Sequence, residues 1–424
     1  MAAIGRLHYD WHILPDHFTQ EASMSENKFV RYTMFGSLYF SQGTILSYFT
    51  ALNALYFLSR GLSMADVGIF ASIALIPFVI KIFLGMLSDR VNLLGFGHRK
   101  PYILIGLLVQ TLCLIIVPFI DPAQYYWGFV ALAFTLQMGM ALYDTCTDGL
   151  ALDTTPTEEQ GTIQGFMVGG RAFAVVVTAS VVGLLADFVS WTAVFWLLAA
   201  FTLVPIPLVL TAKEAERTSD EKFDWSAFAA FKQKTVVFLA ILGFLFFFII
   251  AGANQLVNPF LQETFGISLS MAGYYTTVWG VGVVLGATFG GRVYKQIGMR
   301  NATLAAMGAG LVGTLLLAFT GGPGMAWLLV ALFGLAYGTQ QTIYFALAMK
   351  YTVPSIAASM FAILMAVTNI GQGAGMAVSG MLVDARGFRV TFVVLAALNL
   401  LALPLLPKIF GRAQPETNLV SGGE

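Results

Sequence analysis

Charged residues are scarce in this chain of 424 residues. Asp, Glu, Lys and Arg together make up 10% of the sequence, hydrophobic residues make up 58%, and the mean hydropathy is +0.79. So few charges cannot cover an aqueous surface, so the composition excludes a soluble globular protein. The acidic and basic residues balance to a formal net charge of zero, which gives no indication of a nucleic-acid partner.

Residues suited to metal or nucleotide chemistry are also rare. The two cysteines, Cys113 and Cys146, lie in apolar segments without the spacing of a disulfide framework or a metal site. The four histidines lie near the N-terminus or at position 98, and no Walker-type phosphate loop occurs. We therefore predict no metal, no cofactor, no direct use of ATP and no enzymatic activity.

Long apolar segments are abundant instead. A helix needs about 20 apolar residues to cross the hydrocarbon core of a bilayer. Continuous runs favour helices over a transmembrane barrel, whose strands alternate in polarity. The sequence therefore predicts an all-α, multi-pass membrane protein with twelve spans, at residues 30–58, 65–88, 101–120, 125–150, 158–186, 191–211, 235–261, 271–294, 302–320, 325–349, 355–383 and 388–409.

The basic residues predict the orientation of these spans, because Lys and Arg near helix ends stay on the cytosolic side. With both termini in the cytosol, only Arg60, Arg386 and Arg389 fall outside, and only Lys81 and Arg171 fall within spans. Polar residues precede the first span, so we expect no cleavable signal peptide. We predict a protein of the cell membrane with cytosolic termini.

A polar stretch divides the chain into two halves of six spans. We predict a cytosolic segment at 1–29, six-helix bundles at 30–212 and 235–410, a cytosolic linker at 213–234 and a tail at 411–424. Gly183 and Asp187 recur 197 residues later as Gly380 and Asp384, and 8 of 21 positions from 183 to 203 are identical in this register. The recurrence indicates a duplicated unit, which places a substrate site between the halves near the midplane.

The segment from Gly85 through Asp89-Arg90, followed by Arg99-Lys100, ends the second predicted span. It resembles the loop between spans two and three of the major facilitator superfamily of secondary transporters, and the resemblance covers almost the whole chain. The loop up to residue 102 looks like that of muropeptide permeases, acetyl-coenzyme A transporters, folate-biopterin transporters and glycoside:cation symporters. The passage 143–161 is similar to the same passage of the first two. The resemblance implies two pseudo-symmetric six-helix bundles that move a small-molecule substrate by alternating access, and we expect a monomer in the lipid bilayer.

The same resemblance implies a cytosolic latch, in which Asp89 and Arg90 hold the two halves together while the protein faces outward. The alternative is that these residues only mark a cytosolic loop. For Asp148 and Asp153 a latch or interface role is favoured. The predicted latch residues are Gly85, Asp89, Arg90, Arg99, Lys100, Asp148 and Asp153.

Ionisable residues inside the spans are the strongest candidates for substrate and coupling groups, because each is costly in lipid unless it faces a cavity or a partner. Asp144 and Asp148 lie four residues apart in span four, and Arg171 lies in span five. We predict that Arg171 pairs with Asp144 in the empty protein and is released to an anionic substrate, while the carboxylate takes a proton. The alternative is a permanent structural ion pair. Lys81 can extend toward the cytosol.

Uncharged polar residues complete the predicted site, although about half of them are expected to be structural. Asn369 occupies the position in the second half that matches Arg171 in the first. The sequence predicts a proton-coupled transporter of a small, anionic or polar amphipathic solute. A sodium-coupled or uncoupled facilitator and a non-transporting receptor or assembly factor are the alternatives. The remaining predicted site residues are Gln42, Tyr48, Asn254, Gln255, Gln340 and Gln341.

Overall fold

The computed structural model describes residues 28–95, 97–156, 159–212, 214, 233–351 and 357–411. This part of the chain is helical almost throughout, and each of the twelve predicted spans corresponds to helix. The helices are α1 (Lys28–Ala51), α2 (Asn53–Ser59), α3 (Met64–Ala74), α4 (Ile76–Arg90), α5 (Lys100–Ile116), α6 (Tyr126–Thr154), α7 (Gln160–Phe188), α8 (Trp191–Leu203), α9 (Ile206–Thr211), α10 (Lys234–Phe265), α11 (Leu269–Ala318), α12 (Pro323–Lys350), α13 (Ala357–Arg386), α14 (Phe388–Leu398) and α15 (Leu406–Phe410).

Nine helical segments in the described ranges are long and apolar enough to cross a membrane by composition. The other three predicted spans correspond to α1 with α2, to the first part of α11, and to α12. These helices have the length of a span but carry more polar side chains. The predicted linker, the N-terminal segment and the tail lie mostly outside the described residues, so the domain bounds stay predictions.

The ends of the helices follow from local sequence. Ser63 caps α3 in a capping box with Asp66, and Ser268 caps α11 by accepting from a backbone N–H three residues on. Gly266, with φ 65°, ends α10. Gly298, with φ 77° and ψ 160°, breaks α11 into the eighth and ninth spans, because few residues other than glycine adopt that backbone conformation.

Two helix pairs, α3 with α13 and α7 with α11, join the halves of the molecule. Their backbones meet at glycines: a Cβ added to Gly380 would lie 2.1 Å from the carbonyl oxygen of Met64. In the other pair, a Cβ on Gly273 would lie 2.3 Å from the carbonyl oxygen of Ala179. Such close approach is typical of helix packing in membranes, where small residues let van der Waals contact replace the hydrophobic effect.

The repeated aspartates cap helix starts across this junction. Asp384, at the end of α13, accepts hydrogen bonds from the backbone N–H groups of Met64 (3.1 Å) and Ala65 (2.8 Å) at the start of α3. Asp187, at the end of α7, accepts from the N–H (3.3 Å) and the hydroxyl (2.7 Å) of Ser270 at the start of α11. Each half therefore contributes one carboxylate to a helix N-terminus of the other half. We call this end of the molecule, marked by Asp187 and Asp384, the joined end.

We call the opposite end of the molecule, which holds Arg99, Asp153 and Glu214, the Arg99 end. The described hydrogen bond between the halves that lies farthest from the joined end runs from the Asn369 amide to the carbonyl oxygen of Phe78 (3.1 Å). Beyond this level, no hydrogen bond or ion pair between two described residues joins the halves.

Candidate functional site

Charged and polar side chains from α1, α4, α6 and α7 meet in the N-terminal half. Asp144 on α6 is buried and lies at their centre. The Lys81 ammonium on α4 is 3.1 Å from one carboxylate oxygen of Asp144, and the Gln42 amide on α1 donates to the other. Both oxygens of Asp144 therefore have donors. We call this group the central cluster; its members are Tyr39, Gln42, Lys81, Asp144, Asp148 and Arg171.

Asp148 lies one helical turn beyond Asp144, toward the Arg99 end, and is partly exposed. The Tyr39 hydroxyl on α1 donates a hydrogen bond to one of its carboxylate oxygens. The sequence favoured a latch or interface role for Asp148. The structure instead places it in the central cluster, because α1 packs over this face of α6 and brings Tyr39 onto the carboxylate.

Arg171 on α7 is exposed, and within the described residues its guanidinium makes no hydrogen bond or ion pair. Its positive charge acts on Lys81 and Asp148 in its own half and on Tyr337 in the other half. The guanidinium therefore lies between the two halves. The ion pair predicted between Arg171 and Asp144 is not the one in the structure, because Lys81 occupies the carboxylate.

Glycines explain how these helices come close enough to form the cluster. A Cβ added to Gly43 on α1 would lie 2.5 Å from the carbonyl oxygen of Arg171, so α1 packs directly on the backbone of α7. A Cβ on Gly85 would lie 2.9 Å from the Thr145 side chain, so α4 also approaches α6 closely at the residue after Asp144. Gly85 thus serves the Lys81–Asp144 pair as well as the predicted latch.

The other predicted substrate residues divide into two groups. Tyr48, Gln255 and Gln340 are buried inside one half. Gln255 donates to Ser379 (2.8 Å) and Gln340 to Asn399 (2.9 Å), so both amides hold helices of the second half together. Tyr48 packs edge-on against neighbouring aromatic rings in the first half. These three side chains therefore contribute to packing between helices and lie away from the central cluster.

Asn254 and Gln341 are partly exposed and make no hydrogen bonds within the described ranges. Asn369, the counterpart of Arg171, uses its amide to bridge α13 and α4, as described above. The second half therefore supplies neutral amides where the first half supplies charges. The asymmetry places the charged part of the site in the N-terminal half.

Three of the predicted latch residues, Arg99, Lys100 and Asp153, make contacts at the Arg99 end. Arg99 is buried and its guanidinium bonds to Asp153 (3.2 Å) and to the Ser88 hydroxyl (2.7 Å). The Glu214 carboxylate accepts from the backbone N–H groups that start α5, and the Lys100 ammonium donates to the carbonyl oxygen of residue 210 (2.6 Å). Arg90 is exposed, and the side chain of Asp89 lies outside the described residues. The latch role itself stays a prediction.

Sequence reasoning missed the partnership of Lys81 with Asp144 and the contribution of Tyr39. A signal was present for the first: Lys81 lies in an apolar span one turn before Gly85, a residue that lets the helix approach a neighbour. Tyr39 carried no comparable signal, because its role depends on the rotation of α1 against α6.

Comparison with known proteins identifies the family. The chain matches the model of the Major Facilitator Superfamily over residues 34–365. It belongs to this superfamily. An anhydromuropeptide permease of Escherichia coli (strain K12) is 24% identical over 378 residues, which cover 86% of this chain and 75% of the relative. A folate-biopterin transporter of Synechocystis is 25% identical over 418 residues, which cover 90% and 83% of the two chains.

Solved structures agree on the fold. The nucleoside transporter NupG superposes with a TM-score of 0.72 at 17% identity, covering 90% of this chain and 99% of that one. A D-xylose-proton symporter superposes with a TM-score of 0.71 at 18% identity, covering 91% and 99%. The resemblance and the all-α membrane fold predicted from the sequence are thus confirmed. At the level of the family, the protein is a multi-pass membrane transporter of small solutes, not an enzyme.

Proposed function

We propose that this protein is a proton-coupled secondary transporter of a small anionic or polar amphipathic solute. The observation that carries the proposal is the Arg171 guanidinium, which is exposed between the halves and has no partner within the described residues. A guanidinium presents a planar fork of donors that matches a carboxylate or a phosphate in two parallel hydrogen bonds. An unpaired cation at this depth is costly in the membrane unless an anion binds it.

The surroundings of Arg171 favour a solute that also has an apolar part. On the other half, the rings of Trp279 and Tyr337 pack edge to face with centroids 5.2 Å apart, and Tyr337 lies within the field of Arg171. An aromatic side chain close to a cation suits an amphipathic anion better than a small inorganic one. The two relatives described above are named for different solutes, so they support transport rather than a particular substrate.

Lys81 favours protons over sodium as the coupling ion. Its ammonium, 3.1 Å from Asp144, occupies the position that a sodium ion would take on this carboxylate. Sodium binding would therefore require Lys81 to leave. A proton can bind to a carboxylate without displacing Lys81. Sodium coupling is the second candidate, and it is separated from the first by the ion requirement of transport.

Orientation completes the proposal. With cytosolic termini in the cell membrane, the joined end faces outward and the Arg99 end faces the cytosol, as the basic residues predict. On this orientation we infer an inward-facing monomer, in which Arg171 is reached from the cytosol. Alternating access follows if the joined end opens while the Arg99 end closes.

A ligand screen followed by a variant comparison tests the anion site. Purified protein is screened for thermal stabilisation by amphipathic anions, sugars and cofactors, since a ligand that binds the folded state raises its apparent stability. The ligands found are then tested on Arg171→Lys and on Arg60→Lys, a control in the same half whose guanidinium lies over the Tyr56 ring.

We expect stabilisation to be lost in Arg171→Lys and retained in Arg60→Lys, because lysine keeps the charge but not the fork of donors. A ligand that stabilises Arg171→Lys as strongly as the wild type, and that is transported equally by both, would refute the anion site. Accumulation of the ligand in proteoliposomes separates a transporter from a receptor or assembly factor.

A further inference from the structure

Three aspartates lie along α6, and within the described residues the middle one makes no ion pair. Asp144 is paired with Lys81 (3.1 Å), and Asp153 is paired with Arg99 (3.2 Å). Asp148 lies between them, and its partner within the described residues is the neutral hydroxyl of Tyr39. The helix therefore carries two carboxylates in ion pairs and, between them, one carboxylate that is hydrogen-bonded to a neutral hydroxyl.

Ionised Asp148 would face the like charge of Asp144, one helical turn away on the same side of α6. A bound proton removes this repulsion and leaves the hydrogen bond from Tyr39 in place. Asp144 differs in its contacts, since Lys81 and Gln42 donate to its two oxygens. The contacts therefore distinguish Asp144 from Asp148, although the two acids lie four residues apart on the same helix.

Access also distinguishes the two carboxylates. Asp144 is buried beneath Lys81, whereas Asp148 is partly exposed and lies one turn nearer the Arg99 end. We expect water that enters from this end to reach Asp148 first. A proton carrier needs such a route to one side of the membrane in each conformation.

We propose that Asp148 is the residue that carries the coupling proton. The proton passes from a hydronium ion to the Asp148 oxygen that is not bonded to Tyr39, which leaves a neutral carboxylic acid and a water molecule. Asp144 and Lys81 remain an ion pair throughout. The assignment rests on the proposed function, because coupling presupposes transport.

The charges around Asp148 link proton binding to anion binding. The groups that face it are Tyr39 on α1, Lys81 on α4, Asp144 on α6 and Arg171 on α7, whose charge also reaches Tyr337 on α12. With Asp148 protonated, the cluster holds one negative and two positive charges, so it attracts an anion to Arg171. With Asp148 ionised, the charges cancel and Asp148 competes with the substrate. By reciprocity, substrate binding favours proton uptake.

Infrared difference spectroscopy tests the proton site without a known substrate. The purified wild-type protein is titrated from alkaline to mildly acidic pH while the carboxylic-acid C=O stretching band is recorded. We expect a band that grows as the pH falls, disappears in Asp148→Asn and persists in Asp144→Asn. Asp153→Asn is the matched control, since it removes an acid of the same helix outside the central cluster.

Two further variants keep the test decisive if Asp148→Asn folds poorly. Tyr39→Phe removes the donor to Asp148, so the same band should persist but move to higher frequency. Lys81→Met leaves Asp144 without its cation, so a second carboxylic-acid band should appear. A band that survives in Asp148→Asn, is unmoved by Tyr39→Phe, or is absent from the wild type would overturn the assignment. These outcomes do not depend on the ligand screen, so failure of the proton site and failure of the anion site are told apart.

Discussion

The two aspartate caps at the joined end set how strongly this end stays closed. We expect Asp384→Asn and Asp187→Asn each to weaken closure, since asparagine keeps a short polar side chain but loses the negative charge that helix N-termini favour. Removing a capping side chain costs about 0.5–2 kcal/mol, and a charge at a helix terminus contributes about 0.3–1 kcal/mol. We take about 1 kcal/mol for each variant.

The caps lie on different helix pairs and share no partner, so their effects should add. The double variant then loses about 2 kcal/mol of preference for the closed joined end, which shifts the equilibrium between conformations about 30-fold toward opening of that end. Each single variant should shift it about fivefold. These shifts are large enough to change a distance distribution visibly.

The assay is pulsed electron spin resonance between labels on cysteines introduced at Val189 and Ala385, exposed positions just past α7 and near the end of α13. Asp121→Asn serves as the control, because Asp121 accepts a hydrogen bond within its own loop, from the N–H of Ala123 (3.0 Å). We expect a longer-distance population that grows from wild type to single to double variant. An unchanged distribution in the double variant, or an equal shift in Asp121→Asn, would refute the capping role.

Three other predictions follow from the packing and charges of the N-terminal half. Gly43→Ala should lower stability by about 1–3 kcal/mol and weaken ligand binding at Arg171, because its methyl group meets the α7 backbone; Gly169→Ala, with open space around it, is the control in a melting assay. The pKa of Glu159 is lowered by hydrogen bonding from Lys28 and by the charge of Arg31, so its stabilisation of the α1–α7 contact is present above the ordinary glutamate pKa and is lost as pH falls through the lowered value. The melting temperatures of wild type and Glu159→Gln should therefore converge in acid, and a constant difference would contradict this. Asp89→Asn should favour opening of the Arg99 end, measured by cysteine accessibility there; unchanged accessibility would remove the latch role.

Much of the architecture could be predicted from the sequence, because bilayer thickness dictates span length and duplication leaves a repeat. The recurrence of Asp187 as Asp384 indicated paired halves. In the structure, each of these carboxylates caps a helix N-terminus of the other half. What the sequence did not reveal is the cross-helix use of these carboxylates, since three of their four hydrogen-bond donors are backbone N–H groups, which carry no sequence signal.

The sequence predicted which residues belong to the site but not which of them pair with each other. Asp144, Arg171 and Gln42 were identified because polar groups in apolar spans need a reason to be there. Which cation reaches Asp144 depends on the rotation and approach of α4, which are set by contacts such as Gly85 against Thr145. For the same reason the sequence could not tell Gln340, buried in helix packing, from its neighbour Gln341, which is partly exposed.

Uptake driven by an imposed gradient tests the central claim most directly. Proteoliposomes containing the wild-type protein are given a ligand from the thermal screen, with either a proton gradient or a sodium gradient across the membrane. A proton-coupled transporter with its anion site at Arg171 should concentrate that ligand under the proton gradient alone, and Arg171→Lys should fail to do so. Accumulation that requires sodium and ignores the proton gradient, or full activity of Arg171→Lys, would contradict the account.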